Sequence, residues 1–180
     1  MENKSRQKEI AKVFQFSNSQ NELFDNFRLA IDRKINDIDL YNSLLWNKTL
    51  SIDEVLMFAE KICKEIPEFS HDIYLSVANI LDSNPLYAND KEPAFNYIKK
   101  AADSERDSIE PYVVVSEMYN KELNTPPFVR VIGFFENGFK HVKEKSKLSF
   151  LLARLYGKTG DLEKGRSYQK KGEEYLEKGE

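Results

Sequence analysis

The strongest constraint on the fold of this chain is a frame of residues that recurs three times at nearly equal intervals. Tyr74-x2-Val77-Ala78-x2-Leu81, Tyr112-x2-Val115-Ser116-x2-Tyr119 and Ser149-x2-Leu152-Ala153-x2-Tyr156 each bracket one small residue between large ones. The small residues stand 38 and 37 positions apart. A period of this length is the mark of stacked helix pairs, because one pair alone leaves its apolar face open and needs a neighbour to cover it. The bracketing spacing is helical, and the small residue lets two helices approach closely.

The rest of the chain agrees with an all-α reading. Seven Gly and six Pro fall between apolar-periodic segments, which is helix punctuation. Ser51-Ile-Asp-Glu54 has the form of a capping box, with Pro67 stopping the helix it opens. Thr125-Pro126 and Asp90-Lys-Glu-Pro93 read as helix starts, and Gly157 and Gly160 bound a tight turn that calls for a residue tolerant of positive φ. Helices are expected near 20–36, 38–49, 51–66, 70–82, 91–103, 109–122, 126–143, 146–158 and 161–177, with another near 4–15. These divide the chain into an N-terminal helical segment, 1–36, and a repeat domain, 37–180, with approximate repeats at 37–67, 68–104, 108–143 and 145–178.

Ser51-Ile-Asp-Glu-Val55-x3-Ala59-x2-Ile62-x4-Pro67 resembles the second helix of a tetratricopeptide (TPR) repeat with its closing proline. Leu152-Ala153-x2-Tyr156-x3-Gly160-Asp161-Leu162-x2-Gly165-x6-Gly172 is similar to a nearly complete repeat, with Gln169 where the family usually has a large apolar residue. Ala94-x3-Ile98-x2-Ala101 repeats the second-helix spacing, and the stretch from Phe95 to Ser104 is also similar to Sel1-like repeats, a related helix-pair family. The resemblance covers about residues 38–178. It implies an α-solenoid, a right-handed superhelix of about four TPR-like helix pairs, in which the first helix of each pair lines a concave groove. Some family members grip a terminal carboxylate with a Lys, Asn and Arg clamp. The matching positions here carry Leu40, Leu44, Ser76, Glu110 and Val114, so that clamp is absent.

Nothing in the sequence gathers the residues of a catalytic centre. His71 and His141 are the only histidines and lie about two repeats apart, so neither a zinc site nor a metal cofactor is expected. Both are expected on the surface. The single Cys63 falls on the apolar stripe with Ala59, Ile62 and Ile66, where a free cysteine acts as a small hydrophobe. No Gly-rich phosphate loop, nucleophile elbow or dinucleotide fingerprint is present, so no enzyme and no cofactor is expected. Adjacent acids such as Asp53-Glu54 and Glu173-Glu174 diverge by about 100° on a helix and do not form an acid and base pair.

The net charge is −3, and from Lys140 onward 11 Lys and Arg face 7 Asp and Glu. That mild basic end is far short of a stripe that would hold nucleic acid by counterion release. The polar start and the lack of any run of about 20 apolar residues argue against a secretory signal and membrane insertion, and the lone cysteine suits a cytoplasmic protein.

The expected function is a scaffold or adaptor that binds a peptide or helical segment of a partner protein in the groove. By helical periodicity the groove face carries Leu75, Asn79 and Asp82, then Val113, Glu117 and Asn120, then Phe150, Arg154 and Lys158. Tyr74, Tyr112, Tyr119 and Tyr156 are expected in the core. Trp46 fits two frames, one buried and one facing the groove as an anchor. The alternative is a regulatory or sensor domain that binds a peptide or small ligand and changes shape, and self-association is also open to it.

Overall fold

Every helix needs partners for its first orphan amides, and the sequence supplies several of them locally. In the computed structural model the Ser51 hydroxyl accepts from the Glu54 amide at 3.3 Å while the Glu54 carboxylate accepts from the Ser51 amide at 2.7 Å, so the capping box forms as expected. Ser19 and Asp37 likewise accept from the amides three residues on. The structure describes residues 2–179, with side chains from 6 onward, so Met1 and Glu180, the outer limits of the two expected segments, lie outside the described residues.

The described chain is all-α, with ten α-helices and two 3₁₀ turns, Pro67–Phe69 and Pro85–Tyr87. It divides into two compact units, Met1–Ile80 and Leu81–Glu180, and the division falls within the expected 68–104 repeat. The first unit holds α1 (Glu2–Phe16), α2 (Gln20–Asp32), α3 (Ile38–Leu45), α4 (Ile52–Glu65) and most of α5 (Ser70–Ser83). Helix α1 packs on both α2 and α3, and α3 packs on α4. The Asn47 amide donates to the Phe14 and Ser17 carbonyls at 2.8 and 3.1 Å, which ties the end of α3 to the end of α1. Phe58 sits fully buried between Phe24 and Phe27, at ring centroid separations of 4.8 and 4.4 Å. Cys63 is buried on the same helix, in the role expected for it.

The second unit holds α6 (Glu92–Ser104), α7 (Glu110–Met118), α8 (Phe128–Gly138), α9 (Lys145–Thr159) and α10 (Leu162–Lys178). Here α7 packs on α6 and α9, while α9 also receives α8 and α10. Gly160 takes φ 88° after the last turn of α9, the left-handed conformation expected at this turn, and Gly157 stays helical. The small residues of α10 permit its approach: a Cβ on Gly172 would stand 2.5 Å from the Phe150 ring.

Several expectations are corrected. Helix α7 stops at Met118 rather than near 122, because the Asn120 carboxamide accepts from the Glu122 and Leu123 amides and Asn120 pairs with Thr125 through their backbones. Thr125 does not cap α8. Its hydroxyl accepts from the Lys91 amide at 2.9 Å, at the start of α6, and α8 opens at Phe128, whose amide the Asn124 side chain accepts. His71 is buried rather than exposed, in the first turn of α5. Of the four tyrosines expected in the core, Tyr112, Tyr119 and Tyr156 are buried and Tyr74 is half-buried.

Gly138 closes α8 against Tyr112, and an added Cβ would stand 2.6 Å from that ring. The ring has little freedom to yield, being stacked on Phe134 at 4.4 Å and set edge-on to Phe135 at 5.3 Å. Gly138→Ala should therefore lower stability by about 1–2 kcal/mol in a urea titration, even though alanine is the better helix former. A gain in stability would mean that the ring moves freely.

Candidate functional site

The nine residues of the expected groove fall in both units. Leu75 and Asn79 lie on α5 in the first unit, half-buried and exposed respectively. Between them the Ser76 hydroxyl donates to the Asn42 side chain at 2.6 Å, joining α5 to α3. The other seven belong to the second unit, and the structure divides them by what they touch.

Three are engaged in holding the unit together. Asp82 receives the Lys91 ammonium, 2.9 Å from its carboxylate and 2.8 Å from its carbonyl, which fixes the segment leading into α6. Asn120 organises the turn after α7, as described above. Phe150 lies over Gly172 of α10.

Glu117, Arg154 and Lys158 are brought together where α7 crosses α9, and half-buried Val113 lies one turn earlier on α7. The Lys158 ammonium donates to the Ser116 carbonyl at 2.7 Å, and the Arg154 guanidinium approaches the carbonyl and hydroxyl of the same residue at 3.5 and 3.4 Å. Ser116, the small residue of the repeat frame, is fully buried, which is why two long side chains from α9 can reach over it. Burial, and then the neighbouring Arg154 charge, hold the Lys158 ammonium below its usual pKa, while Glu117 acts in the opposite direction. The result is a face with one tethered cation, Lys158, and a second, Arg154, loosely placed beside an exposed carboxylate.

A separate cleft of about 650 Å³ lies in the first unit, lined by Phe16, Asp39, Asn42, Ser43, Trp46 and Lys48 among others. Trp46 is 52% exposed, which rules out its buried frame. Phe16, also exposed, was invisible to the repeat argument because it precedes the recurring frame.

Among the described residues no group of three or more His, Cys, Asp or Glu side chains is placed to hold a metal ion. Nor, among them, is any helix long and apolar enough to cross a membrane. No protein-family model and no curated protein matches this sequence.

Proposed function

We propose that this protein is a helical-repeat scaffold of the TPR kind, which binds a segment of a partner protein on the α7 and α9 face of its second unit. The observation that supports this reading is the tethering of Lys158 on the Ser116 carbonyl, with exposed Arg154 and Glu117 beside it. A cation held in place in advance loses little side-chain entropy when it meets a partner, so its charge goes into recognition. A fitting segment carries acidic residues opposite α9 and a basic residue opposite Glu117.

The test is a double reversal, Glu117→Lys with Arg154→Glu. Glu117 and Arg154 are exposed, and the Arg154 hydrogen bonds are long, so helicity and thermal midpoint should change little. Binding to a partner captured from the native cell should fall at least tenfold, or about 1.4 kcal/mol. A folded double variant that holds the same partner as tightly as the wild type would falsify the assignment of this face. A wild-type chain that captures no partner at stoichiometric level would remove the scaffold reading itself.

A further inference from the structure

A second cleft in the Leu81–Glu180 unit, about 460 Å³ in volume, lies against α6 and α8, with Tyr112 of α7 contributing to its wall. Its aromatic side is ordered: Tyr112 stacks on Phe134 at 4.4 Å, and Phe134 meets Phe95 edge-on at 5.6 Å. Gly133 leaves the α8 wall open, since an added Cβ there would meet nothing within 4 Å. Three cations, Lys99, Arg106 and Arg130, line the cleft against one carboxylate, Asp103.

The placement of the cations is what calls for explanation. Lys99 and Arg130 both lie over the Phe95 ring, at 5.0 and 5.8 Å from its centroid, where they repel one another. Glu92 pairs with Arg130 at 2.5 Å, but among the described residues no carboxylate lies within ion-pair distance of Lys99. Burial and the Arg130 charge both bear against the Lys99 ammonium, with Glu92 and Asp103 giving partial relief. Burial, and then the Asp103 charge, push the Tyr112 phenol up to about 12. Lys99, whose charge is only partly offset by Glu92 and Asp103, lines the cleft with exposed Arg106 and half-buried Phe134, and together they offer an anion position and a ring position.

We infer that this cleft binds a small aromatic carboxylate, its ring against half-buried Phe134 beside the open Gly133 wall and its carboxylate on Lys99. With Asp103 in the wall and Glu92 already on Arg130, the remaining positive charge suits a monoanion. This site is separate from the α7 and α9 face and does not depend on it.

The test uses three soluble probes on the isotope-labelled intact chain, followed through its amide spectra. Naphthoate, which has both ring and charge, should give saturable shifts confined to residues 95–106, 112 and 130–141. Acetate, which lacks the ring, and naphthalenemethanol, which lacks the charge, should each bind at least tenfold more weakly. Lys99→Met keeps the aliphatic stem over Phe95 and removes the ammonium. It should weaken naphthoate about tenfold without disturbing the rest of the spectrum, a typical effect for one charge-assisted contact. The Glu117 and Arg154 reversal should leave naphthoate affinity unchanged, so each site is judged without the other. Absence of saturable naphthoate shifts, equal binding of either control, or full affinity in a folded Lys99→Met chain overturns the inference.

Discussion

Phe135→Ala should cost the protein about 3–5 kcal/mol, the range for emptying a fully enclosed aromatic position. Phe135 has no exposed surface, lies edge-on to Tyr112 at 5.3 Å and to Phe134 at 6.2 Å, and anchors α8 within the second unit. Removing the ring leaves a cavity bounded by side chains that are themselves fixed by stacking, so the site collapses poorly. The loss should appear as a lower urea midpoint with little change in slope. A cost below about 1 kcal/mol, the range of ordinary surface substitutions and small truncations, would mean that α8 is not anchored through this ring.

Ala78→Phe should destabilise the chain by about 1–3 kcal/mol, because overpacking a sealed position displaces its neighbours. Ala78 is completely buried on α5 and flanked by Val77 and Leu81, which are equally enclosed. Ala153 occupies the same place in the repeat frame, and the sequence treats the two alike. The structure separates them. Ala153 is half-buried and lines a shallow cleft of about 360 Å³ along α9 and α10, with room for a ring. Ala153→Phe should therefore stay within about 0.5 kcal/mol of the wild type. Urea titrations of the two variants should diverge, and a neutral Ala78→Phe would show that the packing frame around α5 is misassigned.

The contrast between these alanines shows how far local pattern reaches. Helix positions were legible because their signals are local: Ser51 and Glu54 cap their own helix, and Gly160 supplies its own turn. The end of α7 was not, because Tyr119 and Asn120 continue a helical pattern and are diverted by a backbone pairing with Thr125. His71 was placed outside because it follows a helix start, whereas the first turn of α5 is itself buried at that position.

Binding surfaces were less legible still. Periodicity gave Glu117, Arg154 and Lys158 one face, and their charges act on one another there, but it could not show that Asp82 and Asn120 are engaged by Lys91 and by a turn. The aromatic and cationic cleft was missed altogether, since Lys99, Arg130 and Phe134 come from helices whose contact is set by tertiary packing. One local signal did exist. Phe95 and Lys99 are four residues apart on α6, the spacing that lays an ammonium stem over a ring on one helix face.

The α9 and α10 pair carries a consequence for the time course of opening. Helix α9 buries six of its residues, whereas α10 buries only Gly172 and otherwise leans on ring faces, with Tyr168 stacked on Tyr156 at 5.5 Å and Tyr175 on Phe139 at 6.3 Å. Rings stacked at a boundary can part without emptying a core, so α10 should open at a free energy well below that of global unfolding. Its amides should exchange with solvent through this local opening, while those of α9 wait for the whole unit to unfold. The two strands of one helical hairpin thus keep different clocks, set by which of them owns the buried side chains.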